Sequence, residues 1–208
     1  MYAISIPFFI DIEELSRDAH EPFHLHYPLT FLDEIKTSET LMTLLDDIST
    51  MGWFGSILPK TPFVEIGELR ELANEVERLG LYAFSSEWKQ TFYQWCYDNQ
   101  DEETGLWGSR SRGDHTLLNG GDLTDSEKII KLFIDHDGNE IHPEFPLQYR
   151  DAMFASALKK ISTPMPEDLD ELHDWILAQD RGLRFLTRYL WKNASQEEKE
   201  ATHPNFFC

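Results

Sequence analysis

One stretch of the sequence, residues 95–108 (WCYDNQDEETGLWG), constrains the fold more than any other part of the chain. The residues that lead into it recur at steps of three and four: Trp88, Phe92, Trp95 and Cys96. This spacing predicts a helix with one aromatic face. Gln100 ends the predicted helix, Gly105 supplies a turn with positive φ, and Trp107 returns an indole toward the aromatic face. The stretch therefore predicts a helix end and a tight turn that close on one core.

The spacing in this stretch resembles the QW motif of the terpenoid-cyclase and protein-prenyltransferase α/α toroids. It consists of an aromatic residue, four residues, Gln, four residues and then Gly-x-Trp, in a single copy from Trp95 to Trp107. In that family the Gln amide stacks on the Trp and ties an outer helix to the next inner helix. The resemblance implies that Trp95, Gln100, Gly105 and Trp107 have structural roles, and it bears on the fold more than on a reaction.

The resemblance also implies an all-α fold of antiparallel helical hairpins in an α/α-toroid-like arrangement. A closed toroid of six hairpins needs about 12 helices, or more than about 200 residues. The chain has 208 residues, so we expect an open or partial toroid, a truncated member of the family or half of a homodimer. We expect a single helical domain over residues 1–208, with the arm of residues 1–32, rich in Pro, His and aromatics, packed on it.

Apolar periodicity predicts further helices on both sides of this stretch. The predicted spans are residues 37–51, 66–79, 124–133 and 147–161, followed by a helix that starts at Pro164 or Pro166. We expect Gly182 to break that last helix, because glycine is a frequent helix terminator. A further helix is predicted from Leu183. No alternating pattern typical of strands accompanies these segments.

Two helix starts have recognisable capping residues. Ser85 or Ser86 is the expected N-cap of the aromatic helix, since a serine oxygen accepts a hydrogen bond from the free backbone N–H groups. Thr124 and Glu127 have the spacing of a capping box and predict the start of the helix over residues 124–133.

The net charge of −20 at pH 7 excludes several classes of partner. Phosphate contacts need Lys and Arg, so the sequence predicts neither direct nucleic-acid binding nor attraction to anionic membranes. No apolar run approaches the ~20 residues that span a bilayer, and no basic segment precedes the apolar start at Tyr2. The two cysteines, Cys96 and Cys208, fit a reduced compartment. The sequence predicts a soluble cytoplasmic protein.

The histidines near the start of the chain have a partial metal-site pattern. His24-x-His26 on a strand would place two imidazoles on one face, and Asp18 or His20 would supply a third ligand. No Cys or HExxH context accompanies them, so packing of a proline-rich arm explains these histidines better.

Residues 135–138 (DHDG) resemble part of a calcium loop. Phe133 falls where the first carboxylate ligand should be, and Glu140 falls on the hydrophobic position, so the pattern is incomplete. The sequence therefore predicts no metal site and no cofactor.

Candidate ligand contacts lie in two loops. The first loop, residues 52–62, carries Trp53. The second follows Trp107, and its candidate residues are polar: Asp114, His115, Asn119 and Asp122. Glycosidases place paired carboxylates beside the sugar, so a carbohydrate-active enzyme, a glycosidase or lyase, is the alternative function. The same polar groups could instead satisfy the backbone of a long loop.

The catalytic groups of the toroid family are missing from the sequence. The Asp-x-Asp-Asp acid motif does not occur, and Cys96 lies in the aromatic helix rather than in a zinc set. We therefore expect no terpenoid-cyclising or prenyl-transferring activity. The sequence predicts a ligand- or partner-binding helical domain, whose charge would steer it to a basic protein surface. The carboxylates are scattered among Lys and Arg on most predicted helices, which disfavours mimicry of nucleic acid.

Overall fold

The computed structural model describes residues 29–51 and 62–206, and this part of the chain has an all-α fold, as predicted. Its α-helices are α1 (Ser38–Ser49), α2 (Pro62–Arg78), α3 (Ser86–Asp98), α4 (Leu123–Ile130), α5 (Arg150–Ile161), α6 (Leu169–Phe185) and α7 (Gln196–Phe206). Short 3-10 turns occupy Thr30–Ile35, Leu118–Gly120 and Trp191–Asn193, and a π-helical turn, Leu186–Leu190, extends α6. Two-residue strands, β1 (Thr50–Met51) and β2 (Arg110–Ser111), pair in parallel.

The helices pack in a continuous series around one hydrophobic core. α1 lies against both α3 and α2, α2 lies against α4, and α4 lies against α6. α6 and its π-helical extension then contact α5, which also contacts α7. The toroid arrangement stays a prediction. Most of the predicted arm, residues 1–28 with His20, His24 and His26, lies outside the described residues.

The aromatic face predicted for α3 is confirmed, since all four of its residues are buried: Trp88, Phe92, Trp95 and Cys96. Ser85 is the N-cap, and its hydroxyl oxygen accepts a hydrogen bond from the Trp88 amide at 3.0 Å. Trp88 stacks on Phe84 with ring centroids 4.2 Å apart. Aromatic stacking and burial therefore anchor α3 in the centre of the core.

The turn after α3 is fixed by the Gln100 side chain, which is buried. Its Nε2 donates to the carbonyl oxygens of Gly105 and Gln148, both at 2.8 Å. Gly105 has a φ of +68°, and a Cβ at this position would lie 2.5 Å from the Met153 backbone nitrogen. Only glycine can bring the turn this close to the start of α5.

Gly182 does not break a helix, contrary to the prediction, because α6 runs through it to Phe185. A Cβ on Gly182 would lie 2.1 Å from the Cγ2 atom of Ile161 in α5. The glycine therefore permits close approach of two helices. Helix termination and close packing both select glycine, and the periodicity of a single segment does not distinguish them.

Three helix starts differ from the prediction. Asp122, rather than a Thr124–Glu127 capping box, begins α4, and its carboxylate accepts from the amides of Thr124 and Asp125. α6 begins after Asp168 instead of at the preceding prolines. Tyr149 has a φ of +48°, so α5 begins only at the residue that follows it.

The side-chain carboxylate of Asp135 closes the turn that follows it. One Asp135 carboxylate oxygen accepts from the amides of Asp137 and Asn139, each at 2.9 Å. Hydrogen bonds from the Asn139 side chain and backbone lower the pKa of Asp135.

Within residues 29–51 and 62–206, no group of three or more His, Cys, Asp or Glu side chains is arranged to hold a metal ion. No helix in these ranges has the length and apolar character needed to cross a membrane.

We predict that Gly182→Ala lowers the free energy of unfolding by about 1–3 kcal/mol, because the new methyl group overpacks the contact with Ile161. Alanine is the better helix former by about 1 kcal/mol, so a helix without this contact would gain stability. Urea unfolding followed by circular dichroism measures the change. Gly113→Ala is the matched control, since no atom lies within 4 Å of the position that a Cβ would occupy there. Stabilisation of the Gly182 variant would contradict the packing role.

We predict that Trp107→Ala lowers the free energy of unfolding by about 3–5 kcal/mol, because the side chain is fully buried. Its indole N–H donates to the Cys96 carbonyl at 2.7 Å, and its ring stacks on Phe133. Equilibrium denaturation in urea measures the loss. Trp191→Ala, at a partly exposed tryptophan, is the control and should cost much less. Near-native stability of the Trp107 variant would contradict a structural role.

Candidate binding groove

The structure describes one of the two tryptophans among the candidate ligand contacts. Trp53 lies outside the described residues. Trp107 has 0% of its surface exposed and is part of the core. Its backbone is tied to the start of α4, where the Trp107 amide donates to the Ser126 hydroxyl and the Asp122 amide donates to the Trp107 carbonyl. Its burial supports the structural role predicted for Trp107, which stays a prediction.

The loop between Trp107 and α4 folds as a small hairpin. Arg110 pairs with Leu117, and the Ser111 amide donates to the Thr116 carbonyl at 2.9 Å. The Arg110 guanidinium braces this hairpin, because it donates to the His115 carbonyl and to the Asn99 carbonyl at the end of α3. The hairpin is thus held against the end of α3, close to where β2 pairs with β1.

The polar side chains of this loop serve local backbone groups. Asp114 accepts from the Thr116 amide and hydroxyl, and Asp122 caps α4. Asn119 has a φ of +54° and His115 a φ of +55°, so both hold left-handed turns. Asp114, His115 and Asn119 are exposed, whereas Asp122 is half-buried. Their use as a carbohydrate site stays a prediction.

Asp125, which follows the cap, has a role that the sequence did not indicate. It is buried, and its carboxylate oxygen accepts from the backbone amides of Phe63 at 3.0 Å and Val64 at 3.1 Å. These amides belong to the first turn of α2, where a negative charge is favourable. This contact holds the start of α2 against α4.

A groove of about 510 Å³ lies between α1 and α3. Its polar lining consists of carboxylates and neutral side chains: Asp46, Glu87, Asp98, Gln90, Thr91, Gln94 and Asn99. Met42 is the exposed apolar residue at its wall, and the mostly buried Trp95 also contributes. The groove thus combines negative charge with amide donors and acceptors. We call it the acidic groove.

Hydrogen bonds hold the three carboxylates of the acidic groove in place. The Trp95 indole N–H donates to the Asp46 Oδ1 at 2.8 Å, which links α3 to α1. Gln94 Nε2 donates to the Asp98 Oδ1 at 2.8 Å. Glu87 Oε1 accepts from the Ser38 hydroxyl at 3.4 Å. Every one of these donors is neutral, so the negative charges are oriented without being compensated.

No lysine or arginine of the described chain lies within ion-pair distance of Asp46, Glu87 or Asp98. α1 contains no basic residue at all. α3 contains only Lys89, which pairs with Glu77 of α2 at 2.7 Å. The acidic groove therefore presents three carboxylates that lack a cationic partner in this part of the structure, and such a surface attracts cations.

The acidic groove offers groups that recognise cations. Carboxylates and amides accept hydrogen bonds from ammonium and guanidinium groups, which form strong charge-assisted contacts. α3 also carries one thiol, that of Cys96. It is fully buried, and burial raises its pKa well above the ordinary value. A thiol in that environment is not a nucleophile.

The acidic groove is not predictable from periodicity, because its residues come from two helices about 40 positions apart. One signal was nevertheless present in the sequence. Residues 37–51 carry carboxylates without any Lys or Arg, whereas Arg70 and Arg78 stand among the acidic residues of α2. α1 is therefore an exception to the mixed charge expected on most helices.

We predict that the pKa of Asp114 lies below its ordinary value, because hydrogen bonds from Ser111 and Thr116 stabilise the charged carboxylate. Ser111→Ala should move this pKa back toward the ordinary value. A pH titration followed by NMR of the side-chain carboxyl carbon measures it. Ser162→Ala is the control, because the Ser162 hydroxyl donates to the Leu158 carbonyl at the end of α5, away from Asp114. An unchanged Asp114 titration in the Ser111 variant would contradict the assigned cause.

Comparison with known proteins leaves the resemblance to the α/α toroids as a prediction. No protein-family model, curated protein or solved structure matches this chain. Function is therefore inferred from the geometry and charge of the described residues.

Proposed function

We propose that this chain is a partner-binding helical domain that takes a basic segment of another protein into the acidic groove. The observation that carries the proposal is the set of three carboxylates, Asp46, Glu87 and Asp98, that line one groove without a cationic partner among the described residues. Lys and Arg side chains are the protein groups that complement such a site, and they form charge-assisted hydrogen bonds with carboxylates.

The net charge of the whole chain supports a basic partner. At −20, the chain attracts cationic proteins over long distances and speeds their encounter. Three oriented carboxylates then provide the short-range contacts. Because the groove is open to solvent, each contact contributes about 0.2–1 kcal/mol. Several such contacts give the moderate, salt-sensitive affinity typical of transient binding.

The amide side chains extend recognition to the backbone of the bound segment. Gln90 is exposed and Asn99 is half-buried in the groove lining. Amides of this kind donate and accept hydrogen bonds with an extended peptide. The proposal therefore assigns charge recognition to the carboxylates and backbone recognition to the amides.

Three features of the sequence support the predicted fold type, the lack of cyclase activity and the cellular location of this domain. The QW-like stretch supports placement among α/α-toroid-like proteins, and the missing Asp-x-Asp-Asp motif supports a role without cyclase activity. The two cysteines support action in the cytoplasm. The net charge disfavours direct binding of nucleic acid.

A labelled peptide made only of Arg, Lys, Gly and Ser tests the proposal by fluorescence anisotropy. The triple variant Asp46→Asn, Glu87→Gln, Asp98→Asn should weaken binding about fivefold to a hundredfold, which corresponds to about 1–3 kcal/mol for three contacts. The Asn at position 46 keeps an oxygen that can accept from the Trp95 indole, so the fold should persist.

The matched control removes three exposed carboxylates elsewhere: Asp151→Asn, Glu197→Gln and Glu200→Gln. It lowers the net negative charge by the same amount and should change the affinity much less. Equal losses in the two triple variants would mean that the peptide responds only to overall charge. A wild-type chain that does not bind the basic peptide, or binds a glutamate-rich peptide equally well, would also refute the proposal.

A further inference from the structure

The first turns of α6 and the segment just before them expose an apolar stripe that the described chain does not cover. Met165 is 66% exposed, Leu169 is 79% exposed and Ile176 is 52% exposed. Leu172, between the last two, is half-buried. Leu169, Leu172 and Ile176 follow one another at steps of three and four, which is the spacing of one helix face, and Met165 precedes the helix. We call these four residues the α6 stripe.

α6 is long for the core that it covers. It has 17 residues, yet only Gly182 and Phe185, near its end, are buried. The C-terminal part of α6 packs through Gly182 against Ile161 of α5. The earlier turns carry large apolar side chains in contact with solvent, and clustered exposure of this kind marks interaction surfaces.

The charged side chains beside the α6 stripe are all acidic over residues 162–180: Glu167, Asp168, Asp170, Glu171, Asp174 and Asp180. Asp180 pairs with Arg184 of the same helix at 2.8 Å, so within the described chain the carboxylates nearer the start of α6 carry the uncompensated charge. No Lys or Arg occurs from Ser162 to Asp180. The basic residues that flank this range are engaged inward, where Lys160 donates to the Gly121 carbonyl and Arg181 donates to the Thr124 hydroxyl.

This charge pattern decides between the occupants that could cover the stripe. A second copy of the chain would bring two identical rows of carboxylates together, and like charges across a helix pair are destabilising. A helix with an apolar face and flanking Lys and Arg would bury the stripe and neutralise the carboxylates. Paired helices join an apolar seam to flanking opposite charges in this way.

We propose that the α6 stripe is a docking surface for an amphipathic basic helix of another protein. Met165, Leu169 and Ile176 supply the apolar contact, while Asp170, Glu171 and Asp174 orient the basic residues of the partner. The proposal concerns a surface separate from the acidic groove and does not depend on the groove's function.

A synthetic peptide with leucines on one helical face and lysines on the other tests the proposal. Binding is measured by fluorescence anisotropy, and circular dichroism measures the helix that the peptide gains on binding. The double variant Leu169→Gln, Ile176→Gln should weaken binding by about tenfold or more, because exposed apolar anchors carry most of such an interface. Both positions are exposed, so the fold should remain intact. The control Ile141→Gln replaces an exposed apolar residue elsewhere and should bind as wild type.

A second variant tests the charges. Asp170→Asn, Glu171→Gln, Asp174→Asn should weaken binding and reduce its dependence on salt, because three screened attractions are removed. Wild-type affinity in the Leu169 and Ile176 double variant would overturn the proposal. So would loss of binding in the triple variant of the acidic groove, which would place the peptide there. Concentration-dependent dimers of the wild-type chain that vanish in the double variant would identify a second copy as the occupant.

Discussion

The amide of Gln100 is the contact on which the centre of the structure depends. It donates to two carbonyl oxygens, those of Gly105 and Gln148, and so joins the end of α3, the following turn and the residues before α5. Gln148 returns a hydrogen bond to the Tyr97 carbonyl at 3.0 Å. A buried carbonyl without its donor costs about 1–3 kcal/mol. The same turn leads to Trp107, whose backbone amide donates to the Ser126 hydroxyl and whose carbonyl accepts from the Asp122 amide at the start of α4.

The sequence predicted the features that depend on neighbouring residues. The aromatic face of α3, a serine cap at position 85 or 86 and the positive φ of Gly105 follow from local spacing and backbone sterics, and the structure contains all three, with Ser85 as the cap. Features set by distant residues were not predictable in this way. Asp125 caps α2 from a position about 60 residues later, and Gly182 is explained only by Ile161 on another helix. Tertiary contacts outweigh local propensity at both positions.

The candidate sites differ in how far the sequence reveals them. The loop after Trp107 is a candidate site in the sequence because its polar residues are close together in the chain. In the structure, however, Asp122 is a helix cap and Trp107 is buried. The acidic groove needs α1 and α3 to pack side by side, which periodicity alone does not specify. The distribution of charge can be read from the sequence. The segments that form the acidic groove and the α6 stripe contain long runs without Lys or Arg beside apolar residues. A comparison of the segments without basic residues with those that carry them would have indicated both the acidic groove and the α6 stripe.

Asp46 belongs to two contacts at the same time. Its carboxylate accepts from the Trp95 indole and so joins α1 to α3, and it also lines the groove between them. A basic segment bound in the groove places positive charge beside the carboxylates of both α1 and α3, which favours the association of the two helices because it relieves the repulsion between them. By linkage, the helix contact and the bound segment stabilise each other by the same free energy. Occupancy of the groove would therefore be detected in the backbone of α1, as slower exchange of its amide hydrogens with solvent.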